Sequence, residues 1–332
     1  MARIVVELTN RCNLRCLHCY DERHAATGEL PLEIIDRVLQ EGKACGIDHL
    51  SFTGGEPTMH RRFEEVIRRV CEADYTWSAV SNGATFAQVY PIFVRYREGL
   101  HGVTFSLDGA REATHDAQRG SGSYRRVMRA ASICVVRRIP FTFNMVITAL
   151  NQYEVEAMID LATRLGCHGV RFAHLMMTPE TSHHALDLSP TARREVESII
   201  WARQAQAAIP VGMGPGYYSE SPYFNCAPLD VEEFNLDYRG NITLCCQLSG
   251  YTGVNTEADL IGNLHEVSLT AACKRFRQRV ATYHADKRAR VQAGAFDELD
   301  HFPCWYCVNY LGKTEPLSLL LPQHGWMQAT NA

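Results

Sequence analysis

Three cysteines near the N-terminus, Cys12, Cys16 and Cys19, have the residue type and the spacing to bind a metal cofactor. They follow the apolar run Ile4–Leu8 in the pattern C-x3-C-x2-C. Three thiolates on one short loop can hold three corners of a cubane iron–sulfur cluster and leave its fourth iron open. A structural zinc site fits less well, because it closes with four ligands, and His18 is a weak candidate for the fourth. We therefore predict a [4Fe–4S] cluster on this loop.

A glycine pair follows the second predicted strand, in the run Phe-Thr-Gly-Gly-Glu-Pro at residues 52–57. Without a Cβ atom the backbone can approach a ligand closely, although a plain turn would have the same composition. Together with the cysteine loop, this motif resembles the radical S-adenosylmethionine (SAM) enzymes. In that family the open iron binds SAM, which is cleaved to methionine and a 5′-deoxyadenosyl radical that abstracts hydrogen from a substrate. The resemblance implies that Gly54, Gly55 and Glu56 hold the SAM amino group.

The same resemblance implies further SAM-binding residues at the ends of later strands. Ser81 lies in the run Val-Ser-Asn-Gly and Ser106 in the run Ser-Leu-Asp-Gly. Arg119 lies in a segment similar to the family pattern H-D-x-x-R-x-x-x-G-S/T-F, and a guanidinium can bind the SAM carboxylate with two hydrogen bonds. Asn144 points into the barrel if side chains alternate along the fifth strand. An exposed arginine in a polar loop and an asparagine bonded to backbone are the alternatives.

A second group of cysteines lies in the C-terminal third. Cys226 and Cys245 follow the pattern C-x13-G-x4-C, and Cys304 and Cys307 form a C-x2-C pair. Four thiolates can bind either zinc or a [4Fe–4S] cluster. The glycine-containing pattern resembles the start of the SPASM domain, and the lack of cysteines after the pair resembles its shorter twitch variant, which implies one auxiliary cluster. Cys246 could replace Cys245 as a ligand, but the register favours Cys245.

The elements that must position these residues alternate between strands and helices. Six β-α units in series predict a parallel sheet with helices outside, and six units match the partial (β/α)6 TIM-like barrel of the radical SAM family. We place this barrel at residues 1–209 and a small α+β twitch/SPASM-like domain at residues 210–332. The predicted strands are Arg3–Leu8, His49–Thr53, Thr76–Ser81, Gly102–Leu107, Phe141–Ile147 and Gly169–His174. The predicted helices are Pro31–Cys45, Arg62–Glu72, Phe86–Arg97, Tyr124–Arg137, Tyr153–Leu165, Pro190–Ala208 and Gln278–Asp297.

The segment between the two predicted domains, Val211–Phe224, combines turn residues with apolar surface. Its first six residues read Val-Gly-Met-Gly-Pro-Gly and predict a turn-rich linker. The aromatic residues Tyr217, Tyr218, Tyr223 and Phe224 follow. Glycine-rich turns allow a lid to move and exclude water from a reactive intermediate, whereas packed aromatic residues would make the segment a tether. Both interpretations remain open from the sequence.

Composition excludes several classes of protein. The chain has 332 residues, a formal net charge of −4 and a pI near 6.4, which give no general attraction to nucleic acid or anionic lipid. It lacks an apolar run of the roughly 20 residues that a membrane helix needs. Thirteen cysteines without a signal-peptide pattern read as metal ligands and reduced thiols. We therefore expect a cytoplasmic protein.

The resemblance implies a radical SAM oxidoreductase in which an auxiliary cluster accepts an electron. Peptides are the expected substrate class, modified by a crosslink, dehydrogenation or oxidation, and a radical SAM dehydrogenase or cyclase acting on a small molecule is the alternative. An iron–sulfur electron carrier or a zinc-stabilised binding protein would be a different class. Because the sequence enters a strand at once, without a fused peptide-recognition domain, we expect a peptide to be presented by a separate recognition protein or to be captured directly. An external electron donor of the flavodoxin or ferredoxin type is also expected. The sequence identifies no catalytic acid or base.

Overall fold

The computed structural model describes residues 2–19, 27–176, 178, 181, 184–224, 226–251, 257–297 and 299–313. Within these ranges, strands and helices alternate along the first two thirds of the chain. The strands are β1 (Ala2–Thr9), β2 (Ile47–Gly54), β3 (Thr76–Ser81), β4 (Leu100–Ser106), β5 (Phe141–Ile147), β6 (Val170–His174), β7 (Val211–Met213), β8 (Glu233–Leu236), β9 (Asn241–Thr243) and β10 (Leu260–Asn263). The α-helices are α1 (Leu32–Glu41), α2 (Phe63–Glu72), α3 (Phe86–Arg95), α4 (Glu112–Arg119), α5 (Ser123–Arg137), α6 (Val155–Arg164), α7 (Pro190–Gln204), α8 (Leu269–Gln292) and α9 (Pro303–Tyr310).

These strands form one sheet in the order β10-β9-β8-β1-β2-β3-β4-β5-β6-β7. Strands β1 to β7 are parallel neighbours in chain order, as expected for successive β-α units that coil toward a barrel. On the other side of β1, β8 pairs in parallel and continues into the antiparallel strands β9 and β10. The six predicted β-α units are present, and they form the predicted partial TIM-like barrel.

The turn-rich linker predicted from Val211 onward is wrong for its first three residues. Val211–Met213 forms β7, and Val211 pairs with Val170 of β6. The sequence does not indicate this strand, because Gly212 and Gly214 interrupt the apolar pattern. Since β7 to β10 continue the barrel sheet, the sheet crosses the predicted domain boundary at residues 209 and 210. That boundary stays a prediction, and residues 314–332 of the predicted second domain lie outside the described residues.

The two faces of the sheet have different chemistry. On the face toward the helices, Phe52, Phe105 and Phe143 are fully buried and belong to the apolar core with residues of α1, α2, α3 and α5. Alternate residues on the other face are half-buried and mostly polar, for example Thr142 and Asn144 of β5. This alternation follows from the period of two residues in a strand. The inner face therefore offers polar groups to a ligand.

Two C-terminal helices were incompletely predicted. The helix predicted at residues 278–297 is α8, which starts earlier, at Leu269. Ser268 caps its N-terminus, because its hydroxyl accepts a hydrogen bond of 3.1 Å from Ala271 N. Helix α9, which carries Cys304 and Cys307, was not predicted, because a run of eight residues is too short to show a helical period. In the part of the chain that the structure describes, no helix has the length and apolarity needed to cross a membrane.

Candidate functional site

The cysteine loop follows β1 and is bound to the glycine motif through backbone atoms. Gly55 N donates to the carbonyl oxygen of Thr9 at 2.7 Å, and Glu56 N donates to that of Arg11 at 2.8 Å. Gly54 has a φ of +118°. An added Cβ at Gly54 would overlap the carbonyl oxygen of Thr9, and one at Gly55 would overlap that of Arg11. The glycine pair therefore allows close approach to the cysteine loop itself, a role that the sequence did not indicate.

This contact predicts a specific defect in Gly55→Ala. The new methyl group must displace the backbone at Arg11, next to Cys12, and such overpacking costs about 1–3 kcal/mol. We expect at least a tenfold loss of reductive SAM cleavage and less iron bound per chain after reconstitution. The matched control is Gly212→Ala, because no atom lies within 4 Å of a Cβ built at Gly212. Equal iron content and equal cleavage in the two variants would contradict the prediction.

The carboxylate of Glu56 is fully buried and bonded within the protein. It accepts hydrogen bonds from Thr58 Oγ1 at 2.6 Å, from Ser81 Oγ at 3.0 Å and from Asn82 N at 2.7 Å. Burial raises the pKa of Glu56, and these donors oppose the shift. In this arrangement Glu56 fixes the end of β3 to the glycine motif, and Ser81 acts as its donor. The SAM-binding roles of Glu56 and Ser81 stay predictions.

Asn82 is a residue of the site that was not singled out in the sequence, although it belongs to the run Val-Ser-Asn-Gly. Its Nδ2 donates to Asn13 Oδ1 at 2.8 Å and lies 3.7 Å from the sulfur of Cys12. The loop after β3 thereby reaches the first cysteine. Burial raises the pKa of Cys12, whereas the hydrogen bonds from Leu14 N and Asn82 oppose that rise. Asn82 is therefore placed to stabilise the thiolate form that a metal requires.

Arg119 is buried against the cysteine loop. Its guanidinium pairs with the fully buried carboxylate of Asp108, which follows β4. Its Nη1 lies 3.7 Å from the sulfur of Cys16, and its Nη2 lies 3.2 Å from His18 Nε2. Burial raises the pKa of Cys16 to about 11, and Arg119 opposes this shift. Burial also lowers the pKa of His18 to about 4, so this imidazole is neutral at pH 7.

Arg119 is thus not the exposed loop arginine that the sequence left open as an alternative. Its SAM-carboxylate role stays a prediction, and in the structure it binds a carboxylate of the chain itself. Asp108 was visible in the run Ser-Leu-Asp-Gly, but its partner lies 11 residues later along the chain. Although burial opposes ionisation, the charge of Arg119 and the hydrogen bond from Val146 N hold the pKa of Asp108 below its ordinary value.

This pair predicts a large stability loss in Asp108→Asn. Removing one partner of a buried ion pair costs about 3–5 kcal/mol, since the other charge stays buried. The effect should be measured as the free energy of unfolding in denaturant. Because its pKa is lowered, Asp108 stabilises the fold fully above about pH 4 and loses this contribution as the pH falls further. The loss in Asp108→Asn should therefore shrink in acid.

The control for Asp108→Asn is Glu112→Gln. Glu112 pairs with Arg125 at 2.7 Å, and the two side chains are 42% and 78% exposed. Exposed pairs contribute only about 0–1 kcal/mol. A loss in Asp108→Asn as small as that in the control would contradict a stabilising role for the buried pair.

Ser106 and Asn144 lie side by side at the carboxyl ends of β4 and β5. They are register partners, and both are half-buried on the inner face. In the layer below them, the hydroxyls of Thr104 and Thr142 are 2.9 Å apart. The structure therefore brings these two predicted residues together on a polar surface. Their role in binding SAM stays a prediction.

The C-terminal cysteines line one apolar pocket. Cys226 lies in the loop before β8, Cys245 follows β9, and Cys304 and Cys307 lie on α9. The sequence register favoured Cys245 as the ligand, and Cys245 lines this pocket whereas Cys246 does not. The other lining residues are Met176, Pro215, Phe224, Pro228, Leu229, Leu244, Gln247, Leu248 and Pro303.

Burial and mutual repulsion dominate the electrostatics of this pocket. Burial raises the pKa of Cys226 to about 12, and Cys307 adds to the shift. Burial also raises the pKa of Cys307, opposed by the Tyr283 hydroxyl, which lies 3.3 Å from its sulfur, and by Lys287. Four thiolates in one apolar pocket require a cationic group, which a metal centre would supply. Among the described residues, no three ligand side chains are arranged for a single metal ion.

The segment between the two cysteine sites is packed. Tyr217 is 6% exposed and meets the ring of His174 edge-on at 6.2 Å. Tyr218 stacks on His301 at 5.4 Å, and Phe224 lies against Tyr306. These contacts favour the tether over the lid for Val211–Phe224.

The N-terminal half of the chain is similar to a known protein family. The family model described as Radical SAM superfamily matches residues 6–162. The chain is 26% identical over 250 residues to the PqqA peptide cyclase of Methylorubrum populi, which covers 73% of this chain and 65% of the relative. The match thus spans less than two thirds of that relative's length.

Two solved structures share the fold. Streptococcus suis SuiB bound to its precursor peptide SuiA has a TM-score of 0.64 at 15% identity, covering 80% of this chain and 63% of SuiB. Native anSMEcpe with bound AdoMet and the Cp18Cys peptide has a TM-score of 0.66 at 16% identity, covering 98% of this chain and 99% of that one. The second match includes the C-terminal region with the four-cysteine pocket.

Proposed function

We propose that this chain, which belongs to the radical SAM superfamily through residues 6–162, is an oxidoreductase that modifies a peptide. In this family, bound SAM and a [4Fe–4S] cluster supply a 5′-deoxyadenosyl radical that abstracts hydrogen from the substrate. One observation carries the proposal: a three-thiol loop at the carboxyl end of the barrel strands coexists with a separate four-thiol pocket. A three-thiol site leaves an iron open for SAM, whereas a four-thiol site is closed and suits electron transfer.

The donor set of the first site fits this cofactor. Cys12, Cys16 and Cys19 would hold three irons, while Asn82 and Arg119 contact the sulfurs of the first two cysteines. Hydrogen bonds and positive charge at the sulfurs stabilise a reduced cluster. Gly54, Gly55, Glu56, Ser81, Ser106 and Asn144 would surround the bound SAM. Backbone hydrogen bonds from Gly55 and Glu56 hold this loop against the glycine motif.

The proposed reaction is a two-electron oxidation of the substrate. A C–H bond breaks and its hydrogen atom goes to the 5′-deoxyadenosyl radical. The substrate radical would then lose a proton to water and one electron, while a crosslink or double bond forms. Cys226, Cys245, Cys304 and Cys307 would hold the cluster that accepts this electron. An external donor of the flavodoxin or ferredoxin type supplies the electron for SAM cleavage.

A peptide is the substrate class that the relatives favour. One curated relative is named a peptide cyclase, and two similar structures contain a bound peptide. We propose the same class for this chain and a separate protein that presents the peptide to it.

Isotope transfer tests this function. Reconstituted protein is mixed with SAM, a reductant and a deuterated short peptide encoded beside its gene. We expect deuterium in 5′-deoxyadenosine and a peptide that has lost one deuterium and one proton per event. Deuterium-free 5′-deoxyadenosine and an unchanged peptide mass would contradict a peptide substrate. Failure to form any 5′-deoxyadenosine would contradict radical SAM activity and favour an electron carrier.

A further inference from the structure

Lys287 lies on α8 and is almost completely buried, with 2% of its surface exposed. Its Nζ is 3.0 Å from the ring centroid of Phe224 and 4.7 Å from that of Tyr306. The rings of Phe296 and Tyr283 lie at 5.8 and 5.9 Å. An ammonium group is attracted to the faces of aromatic rings. These four rings form an aromatic cage around the charge.

Two residues of the aromatic cage also contact the four-cysteine pocket. Phe224 lines the pocket, and the hydroxyl of Tyr283 lies 3.3 Å from the sulfur of Cys307. Lys287 is thus buried against two rings that also contact the pocket, in apolar surroundings. In such a low-dielectric surrounding, a charge acts strongly on its neighbours.

The ammonium keeps its charge at neutral pH. Burial lowers the pKa of Lys287 to about 8, and the nearby Cys307, Asp300 and Cys226 oppose the shift. The carboxylate of Asp300 is paired with Arg290 at 2.7 Å. The positive charge of Lys287 is thus available to the thiols of the pocket.

We infer that Lys287 raises the reduction potential of the cluster in the four-cysteine pocket and so makes it an electron acceptor for the substrate radical. This inference rests on the proposed function. Reduction adds one negative charge to the cluster, and a caged cation beside it stabilises the reduced form more than the oxidised form. Charge and hydrogen bonds near the sulfurs set the potential of such clusters. Lys287 thus acts through its positive charge beside the four-cysteine pocket and does not bind the cluster itself.

The test is a redox titration of the protein with both clusters, followed by electron paramagnetic resonance. Lys287→Met removes the charge at similar volume, and Lys287→Gln is a second neutral variant. We expect each to lower the reduction equilibrium constant of the second cluster about tenfold, which is about 59 mV for one electron. Lys287→Arg should retain the wild-type potential. The potential of the N-terminal cluster should stay unchanged in all three variants.

Lys274→Met is the matched control, because Lys274 is an exposed residue of the same helix. An unchanged second potential in both neutral variants would overturn the inference, as would an equal shift in Lys274→Met. Loss of the second cluster from both neutral variants would also overturn it, because the charge would then serve assembly. Metal analysis of the wild type comes first: zinc in this pocket would remove the electron-accepting step of the proposed function, whereas an iron–sulfur cluster insensitive to Lys287 would leave that function intact.

Discussion

Replacing Cys12, Cys16 and Cys19 together by alanine is expected to remove about half of roughly eight irons per chain and to abolish formation of 5′-deoxyadenosine. The two proposed [4Fe–4S] clusters would account for the wild-type iron, and the three-cysteine loop would hold one of them. Asn82 and Arg119 contact the sulfurs of this loop from other parts of the chain. Neither side chain can replace a thiolate. Iron analysis and chromatographic measurement of 5′-deoxyadenosine after reduction with SAM present give both results.

Cys71→Ala is the control for this triple variant. Cys71 is half-buried, as the loop cysteines are, but it lies on α2 against Trp77. Its replacement should leave both iron content and cleavage unchanged. Persistent SAM cleavage in the triple variant would refute the assignment of the loop as the SAM cluster site.

The strands of the barrel could be predicted from sequence because their buried face repeats every second residue. Phe141, Phe143 and Met145 alternate with polar residues, and β5 has the bounds that this pattern indicates. The pattern fails where a strand is short and contains glycine, as in Val211–Met213. Helix α9 could not be predicted either, because its eight residues are too few to show a helical period. Its position depends on the contacts of Tyr306 and Cys307 with α8.

The candidate metal ligands could be predicted because thiolate spacing is a local property of the chain. The partners of these ligands could not, since they are joined only by the fold. Arg119 and Cys16 are separated by 103 residues, and Asn82 and Cys12 by 70. The glycine pair shows the same limit: its composition indicates a close approach, but only the structure shows that the approaching group is the backbone of Thr9 and Arg11. Lys287 lies in the predicted helix Gln278–Asp297, and nothing in its sequence indicates that this side chain is buried.

The four-cysteine pocket predicts a separation between radical formation and product formation. Cys307→Ala removes one of four thiolates from a site that shares no ligand with the N-terminal loop. We expect SAM cleavage to stay measurable while product formation falls at least a hundredfold, because the substrate radical loses its electron acceptor. Cys226→Ala should behave in the same way. The measurement is the ratio of 5′-deoxyadenosine to modified substrate.

Cys246→Ala provides the control and decides between two neighbouring thiols. Cys246 adjoins Cys245 in sequence but does not line the pocket. It should therefore retain both clusters and a wild-type product ratio, whereas Cys245→Ala should lose the second cluster. The reverse result would assign Cys246 as the ligand. Normal product yield from Cys307→Ala and Cys226→Ala, or one zinc per chain in the wild type, would show that the pocket is structural. The electron from the substrate radical would then have to leave by a route that does not involve these four cysteines.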